Sequence, residues 1–278
     1  MDLALYQIDA FTDRIFKGNP AAVCPLDHWP GPELLQFIAA ENNLSETAFF
    51  VPEPERGRGH YHMRWFTPTD EVDLCGHATL ASAYVLFTEL EPDLPQVIFR
   101  TRSGDLTVTR EADGGLTMDF PRLDARPIEA PGRLIDVFEE TLGARPLALL
   151  RAVNLLAIYE SEDDVRRLRY NPDLREMLVQ ADAWGLIVSA PAREGSDHDF
   201  VSRFFAPHKG VPEDPVTGSA HCTLMPYWSG RFGKTDLIGY QASARGGTVR
   251  CRIDLDRPAR VFLSGQCAFY MKGTIRLA

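Results

Sequence analysis

Residues 64–87 read RWFTPTDEVDLCGHATLASAYVLF, and the rest of the chain can be organised around this stretch. The pattern predicts a strand that ends at Trp65 and Phe66, a tight polar turn, and a helix whose first turn contains Gly76 and His77. A helix start presents backbone N–H groups without intrahelical partners and a partial positive charge. The stretch therefore predicts a strand–loop–helix unit whose helix start can bind an anion.

The chain repeats this unit in residues 203–228, which read RFFAPHKGVPEDPVTGSAHCTLMPYW. Arg64 matches Arg203 at an offset of 139 residues, and Gly76 matches Gly218 at an offset of 142. The second loop is therefore three residues longer than the first. Two copies of one unit predict two similar halves, with two loops that face one site.

The predicted halves share the order strand, loop, helix and hairpins, which is typical of an α+β fold with mixed sheets around a long helix. Strict alternation of strands and helices is absent, and so is GxGxxG, which disfavours a Rossmann fold. Residues 121–133 contain three prolines and no periodicity, so the predicted halves are residues 1–122 and 123–278. The last predicted strand, residues 268–277, returns to the first half if the halves exchange terminal strands.

The composition argues against several classes of protein. A formal net charge of −10 disfavours nucleic-acid binding, which relies on clustered Lys and Arg. No apolar run approaches about 18 residues, and the N-terminus lacks a basic signal region, so neither a membrane span nor a secretory signal is predicted. The five cysteines are odd in number and lack CxxC spacing, which favours reduced thiols in a cytoplasmic protein over disulfides or a zinc site.

The two predicted helix starts carry the first candidate site residues. Glycine at such a position lets the backbone approach a ligand closely. Gly76 and His77 correspond to Gly218 and Ser219, and both polar side chains can hydrogen-bond. Together the helix starts could hold the carboxylate of a small anionic substrate. The same residues also fit a structural role, in which the glycines serve tight turns and His77 is a core histidine.

Three further residues are open to two interpretations each. Cys75 stands at a helix start, which lowers the pKa of a thiol, but it also fits a small buried hydrophobe. Asp214 either caps the second helix or belongs to the site. Glu46 begins an apolar strand, and this pattern alone favours a solvated strand end over an acid/base group in a partly dry cleft.

The chain resembles the PhzF family of phenazine-biosynthesis-like isomerases, which shares the fold of diaminopimelate epimerase. The resemblance is carried by DAFTDRIFKGNPAAV (9–23), NNLSETAFF (42–50), the two repeated stretches and KGTIRL (272–277). These segments span essentially the whole chain. The resemblance implies two pseudo-symmetric domains, each a mixed, mostly antiparallel sheet wrapped around a central helix, with the active site between the halves.

The resemblance also implies cofactor-independent proton transfer, without a metal, on a small anionic substrate. The implied catalytic residues are Glu46 as the acid/base group, His77, Asp214 and Ser219. The implied substrate-binding residues are Gly76, Gly218, Asn19 and Cys75. The sequence does not specify an oligomeric state, and the homodimer common in the family is the implied assembly.

The chain departs from the related epimerases at one position. Those enzymes use two cysteines, one in each loop, as opposed acid and base. Here Cys75 is matched by Thr217, whose hydroxyl does not ionise near neutral pH. Cys75 also replaces the small apolar residue of the phenazine-pathway enzymes, which weakens an assignment of the phenazine precursor as substrate.

Three functions therefore stay open at the level of sequence. The first is an isomerase that moves a proton through Glu46. The second is an amino-acid racemase or epimerase that pairs Glu46 with Cys75 or His77. The third is a non-catalytic protein that keeps the fold and binds a metabolite.

Overall fold

The computed structural model describes residues 2–128, 132–207 and 211–277. The chain divides into two compact units. Unit 1 comprises Met1–Phe120 and Ser264–Ala278, and unit 2 comprises Pro121–Leu263.

The observed division differs from the predicted halves in two respects: unit 2 begins at Pro121, and the last strand belongs to unit 1, which the sequence analysis had left open. The sequence placed residues 123–278 in the second half, whereas Ser264–Ala278 belongs to unit 1. The physical reason is the last strand, which pairs antiparallel with the first strand of the chain. Residues 129–131 of the predicted linker and residues 208–210 of the second loop lie outside the described residues.

Unit 1 is built from a mixed sheet and a central helix. Its strands are β1 (Asp2–Ala10), β2 (Asn19–Pro25), β3 (Glu46–Pro52), β4 (His60–Phe66), β5 (Glu71–Val72), β6 (Gln96–Thr101), β7 (Gly104–Arg110), β8 (Leu116–Pro121) and the last strand of the chain, β18 (Cys267–Arg276). Its helices are α1 (Pro32–Asn42) and α2 (Gly76–Val85), and a π-helical turn (Leu86–Leu90) continues α2.

The strands of unit 1 form a mostly antiparallel sheet. β1 lies between β2 and β18 and runs antiparallel to both. β2 is parallel to β3, β3 is antiparallel to β4, and β4 is parallel to β6, which begins an antiparallel meander through β7 to β8. α2 contacts β1, β2, β3 and β18, and all its residues except Gly76 and Tyr84 are buried. The predicted sheet around a central helix is confirmed.

Unit 2 repeats this order. Its strands are β9 (Arg126–Pro127), β10 (Ala148–Arg151), β11 (Leu155–Ile158), β12 (Leu186–Pro191), β13 (Phe200–Ala206), β14 (Val211–Asp214), β15 (Asp236–Gln241), β16 (Gly247–Ile253) and β17 (Arg260–Gly265). Its helices are α3 (Gly132–Leu142), α4 (Glu162–Arg167), α5 (Leu174–Gln180) and α6 (Gly218–Phe232). β11 and β12 are parallel, as β2 and β3 are, and β13 is parallel to β15, as β4 is to β6. None of the helices in the described ranges is long and apolar enough to cross a membrane.

A matched ion pair fixes each repeated loop to its strand. In unit 1, Arg64 Nε and Nη2 donate to the two carboxylate oxygens of Glu71, each at 2.7 Å. In unit 2, Arg203 Nε and Nη2 donate to Glu213 at 2.7 and 2.9 Å. Two parallel charge-assisted bonds hold a side chain in one orientation. Each glutamate lies five residues before the first residue of a helix, so the two pairs hold the chain at equivalent points before α2 and α6.

Candidate active site

Three element starts meet in unit 1, and they carry the predicted site residues of the first half. β2 begins at Asn19, β3 begins at Glu46, and α2 begins at Gly76. β2 and β3 run parallel, with Ala21 opposite Glu46, so both strands begin at the same edge of the sheet. The structure brings together the side chains of Asn19, Glu46, Cys75 and His77.

His77 approaches each of the other three side chains. Its Nδ1 lies 3.1 Å from Asn19 Nδ2 and 3.5 Å from Cys75 Sγ. Its Nε2 lies 3.2 Å from Glu46 Oε2, a close approach without hydrogen-bond alignment. Since an amide nitrogen is a donor, Nδ1 accepts from Asn19, and the ring proton is assigned to Nε2, on the side of Glu46.

The members of this group differ in their access to solvent. His77 and Cys75 are 4% and 6% exposed, whereas the Glu46 side chain is 16% exposed. Burial lowers the pKa of His77 from 6.5 to about 3, because a charged imidazolium would lose its hydration. The imidazole is therefore neutral near pH 7 and brings no positive charge to the side of Glu46. Of the three side chains, Glu46 is the most exposed to solvent.

The two helix starts share one backbone form. Cys75 precedes α2 with φ −143° and ψ 109°, and Thr217 precedes α6 with φ −112° and ψ 103°. Neither side chain caps its helix. The first-turn N–H groups are thus not satisfied by these two side chains, which is the condition for binding an anion at a helix start.

The second loop carries the predicted residues of unit 2. Asp214 ends β14, and Gly218 and Ser219 begin α6. Gly218 is buried, whereas Ser219 and Asp214 are partly exposed. The Thr217 hydroxyl donates to Asp214 Oδ2 within the loop. The residue that matches Cys75 therefore acts as a hydrogen-bond donor that orients a carboxylate.

Gln241 is a residue of the second loop's support that the sequence reasoning missed. It is fully buried at the end of β15. Its Oε1 accepts from the Thr217 backbone N–H at 2.9 Å, and its Nε2 donates to the Asp214 carbonyl at 2.8 Å. Both sides of the amide are therefore used to fix the loop before α6. The sequence signal that could have identified Gln241 is an amide side chain in a mostly apolar strand.

Gln241→Leu is expected to lower the free energy of unfolding of unit 2 by about 1–3 kcal/mol, because it leaves a buried N–H and a buried C=O without partners. Chemical denaturation monitored by fluorescence would measure the change. The exposed Gln180→Leu on α5 is the matched control, with an expected effect within about 0.5 kcal/mol. Equal effects of the two substitutions would contradict the assigned role of Gln241.

A serine of the following hairpin holds each repeated loop at the same place. Ser103 Oγ donates to the Asp73 carbonyl at 2.8 Å in unit 1. Ser243 Oγ donates to the Pro215 carbonyl at 2.8 Å in unit 2. Each accepting carbonyl lies three residues before the first glycine of a helix. The sequence analysis did not single out these serines.

His221 is a second buried imidazole, one turn into α6. Its Nδ1 donates to the Thr217 carbonyl at 2.8 Å, and no part of the residue is exposed. Burial lowers the pKa of His221 from 6.5 to about 4, and the bond to Thr217 opposes this shift in part. The ring is neutral at physiological pH and supports the carbonyl at the end of the second loop.

Acidification is expected to destabilise the protein through His221. The unfolded chain binds a proton below pH 6.5 and the folded chain only below about pH 4, so stability is lost as the pH falls through this window. At pH 5 the loss from this group is about 2 kcal/mol. Denaturation at pH 7 and pH 5 should show a smaller pH dependence for His221→Gln than for the unmodified protein.

Should His221→Gln not fold, the ring proton resonances of His221 in the unmodified protein give the same answer. They are expected to stay constant between pH 7 and pH 5. A midpoint near 6.5 for this ring would contradict the burial argument.

The group in unit 1 also contains the donor types that hold a metal ion. The carboxylate of Glu46, the thiol of Cys75 and the imidazole of His77 each offer one atom, and these atoms lie within 4.8 Å of one another. Oxygen, sulfur and nitrogen donors of this kind are the usual ligands of zinc in proteins. The sequence predicted no zinc site because the five cysteines are odd in number and lack CxxC spacing.

Comparison with known proteins shows the family of the chain. The phenazine biosynthesis-like protein family (PhzC-PhzF) matches residues 8–273. An uncharacterized isomerase of Pseudomonas aeruginosa is 48% identical over 278 residues, and the match covers 100% of both chains. A solved phenazine biosynthesis protein of the PhzF family from Enterococcus faecalis is 39% identical with a TM-score of 0.89, and the match again covers 100% of both chains.

The fold extends to more distant enzymes. A hydroxyproline epimerase from Agrobacterium vitis, solved with bound trans-4-hydroxy-L-proline, is 12% identical with a TM-score of 0.65 over 99% of this chain and 92% of that one. At this identity the likeness shows the fold alone, and it confirms the predicted epimerase-like fold class. With a match over nearly its whole length and relatives of 48% and 39% identity, the chain belongs to the phenazine biosynthesis-like (PhzC-PhzF) family.

Proposed function

We propose that this protein is a cofactor-independent isomerase that moves a proton on a small carboxylate-bearing substrate. Glu46 is the acid/base group. The observation that supports this most directly is the position of Glu46 at the start of β3, with Oε2 3.2 Å from Nε2 of a neutral, buried His77. The names of the relatives as isomerases agree with the proposed class.

The substrate carboxylate is proposed to bind at the start of α2. Backbone N–H groups of Gly76 and His77 lie in the first turn, where the helix dipole favours negative charge. Anion binding there places the substrate next to Glu46. Asp214, Gly218 and Ser219 are the predicted contributors of unit 2, at a helix start of the same backbone form.

Proton transfer then needs one side chain. The Glu46 carboxylate takes a proton from a carbon activated by the bound acid group and becomes a carboxylic acid. The electron pair left behind is delocalised towards the substrate oxygens, where helix N–H groups stabilise it. Glu46 returns the same proton to a second carbon, so that a double bond shifts and the enzyme is restored.

His77 is proposed to orient Glu46 without reducing its basicity. A charged imidazolium at 3.2 Å would form an ion pair with the carboxylate and make it a weaker base. The neutral ring offers only an N–H dipole on that side. Burial of His77 is therefore part of the proposed mechanism, because it keeps the ring neutral over the working pH range.

An epimerase is the second candidate, since Cys75 lies beside His77 and could serve as a second acid. Inversion at one carbon needs an acid and a base on opposite faces. Each must approach within about 3 Å, so the two atoms would be about 6 Å apart. The donor atoms of Glu46 and Cys75 lie within 4.8 Å of each other. This spacing favours a single acid/base group, and hence the isomerase.

Incubation in heavy water with a panel of small unsaturated and saturated amino acids and hydroxy acids tests the proposal. The isomerase should move a double bond and deliver deuterium or retained proton to a carbon other than the one that lost it, which proton NMR resolves. Deuterium at a single stereocentre with inversion, detected by chiral chromatography, would establish the epimerase instead. A small anionic substrate, a homodimer and a cytoplasmic location stay predictions.

A further inference from the structure

We propose that Glu46, Cys75 and His77 form an inhibitory binding site for Zn²⁺. Binding of the ion depends only on these three side chains. Inhibition by the ion rests on the proposed function, because the ion would bind the Glu46 carboxylate, which serves as the acid/base group. The site therefore couples the activity of the protein to the free zinc concentration around it.

The distances fit a zinc ion at the Glu46–His77 pair. Zinc bonds to nitrogen and oxygen are about 2.0–2.2 Å long, so two such ligands of a tetrahedral ion lie about 3.3 Å apart. Glu46 Oε2 and His77 Nε2 lie 3.2 Å apart. The pair can bind an ion between them without a change in their separation.

Cys75 supplies the third ligand after a rotation about its Cα–Cβ bond. A zinc–sulfur bond of about 2.3 Å places sulfur about 3.5 Å from the other ligand atoms. One donor atom from each residue lies within 4.8 Å of the other two, and Sγ lies 3.5 Å from Nδ1 of His77, so rotation of the Cys75 side chain has to carry Sγ from the Nδ1 side of the ring towards Nε2. The thiol does not cap α2, so this rotation breaks no capping bond.

The charges of the three ligands balance the ion. A Glu46 carboxylate and a Cys75 thiolate carry two negative charges, and the neutral His77 adds none. Zn²⁺ therefore converts the group into a neutral centre, which suits a buried position. Zinc binds the thiolate form of cysteine, so any proton that the Cys75 thiol carries passes to solvent as the zinc–sulfur bond forms.

Asn19 completes the arrangement outside the three ligands. When Nε2 of His77 binds zinc, the ring proton has to sit on Nδ1. A half-turn of the Asn19 amide, whose Nδ2 lies 3.1 Å from Nδ1, presents its oxygen as the acceptor. Zinc-bound histidines are usually oriented by such a bond at the other ring nitrogen. Asn19 is thus a positioning residue for the metal site.

The remaining thiols are poor competitors for the ion. Burial raises the pKa of Cys24 and Cys222 to about 12 and that of Cys251 and Cys267 further, so these side chains stay protonated near pH 7. Among the described residues, the group of Glu46, Cys75 and His77 is the one in which three donor types converge. A single zinc equivalent is therefore expected.

Titration of the full-length, chelator-treated protein with Co²⁺ and Zn²⁺ tests the inference without a substrate. Co²⁺ should give thiolate-to-metal charge-transfer absorption and the visible bands of a tetrahedral ion. Calorimetry with Zn²⁺ should show one equivalent bound. Absence of the charge-transfer band, or absence of stoichiometric binding, would overturn the proposal.

Matched variants assign the ligands. Cys75→Ser should abolish the charge-transfer band and weaken zinc binding by at least roughly 100-fold, and Asn19→Ala should weaken it by roughly 10- to 100-fold. Cys24→Ala removes a buried thiol of the same unit and should leave zinc binding unchanged. An equal loss in Cys24→Ala and Cys75→Ser would overturn the assignment. Should Cys75→Ser not fold, the cobalt spectrum of the unmodified protein decides.

Failure of this inference and failure of the proposed function give different results. Stoichiometric zinc binding in a protein that exchanges no proton would refute the isomerase and leave the metal site standing. Proton exchange that micromolar-range zinc does not inhibit, in a protein that shows no cobalt charge-transfer band, would refute the metal site alone.

Discussion

Glu46→Gln should lower the rate of proton exchange by roughly 10²- to 10⁴-fold, which is the usual contribution of a general acid/base group. The amide has the shape of the carboxylate, so it can occupy the same place beside His77 Nε2, which lies 3.2 Å from Glu46 Oε2. It cannot take a proton from carbon. The loss corresponds to about 3–5 kcal/mol of barrier and is measured as deuterium exchange into substrate at saturating concentration.

Glu41→Gln is the matched control for this substitution. Glu41 is an exposed residue of α1 in the same unit, so its neutralisation changes the net charge equally without touching the group around His77. Exchange by this variant should equal that of the unmodified protein. Undiminished exchange by Glu46→Gln would remove Glu46 from the mechanism, and Cys75 would be the next residue to substitute.

Phe49→Ala should reduce the free energy of unfolding of unit 1 by about 3–5 kcal/mol, the usual cost of truncating a buried phenylalanine. Phe49 lies on β3, three residues after Glu46, and no part of it is exposed. Its ring contacts Phe66 edge to face at 5.7 Å, within the cluster that also contains Leu35 and Ile38 of α1. The substitution leaves a cavity between α1 and the sheet, which denaturant unfolding monitored by tryptophan fluorescence would detect.

Phe37→Ala provides the comparison. This residue sits on the outer side of α1 and is 69% exposed, so its truncation should change the free energy of unfolding by no more than about 0.5 kcal/mol. The two substitutions remove the same atoms from the same unit. Similar losses for both would mean that the cluster under α1 does not stabilise the strand that carries Glu46.

The repeated loops were predictable because each combines signals of different kinds. The arginine and aromatic residues that end a strand, the polar turn and the glycine at the helix start recur in order at Arg64 and at Arg203. The structure places β4, β13, α2 and α6 where this repetition put them. Glu46 was likewise expected near the start of a strand, and it is the first residue of β3.

Other features left no periodicity from which to predict them. The strands β5 and β9 are two residues long, which is too short for alternation. The π-helical turn after α2 shares the apolar pattern of the helix it continues. Gln241 was missed because a polar residue in a strand is usually expected to face solvent. Here its side chain is buried and forms hydrogen bonds with two backbone groups of the second loop.

His77 has features of both interpretations of its sequence pattern, a core histidine and a site residue. The residue is buried, as a core histidine would be, and it also lies beside Glu46 and Cys75. The two interpretations do not compete, because burial is what makes the ring neutral. Sequence alone could not show this, since the three residues meet only when β3 and α2 begin at one place.

The arginine–glutamate and serine–carbonyl anchors bear on how such a protein can change over evolutionary time. Each anchor lies wholly within one unit. The pairs Arg64–Glu71 and Ser103–Asp73 lie in unit 1, and their counterparts lie in unit 2. The residues at the tip of a loop can therefore diverge while the anchors that set its course stay the same. Cys75 and Thr217 show the result, because one scaffold presents a thiol in unit 1 and a hydroxyl in unit 2. A family built in this way can acquire new chemistry by single substitutions that leave the fold untouched.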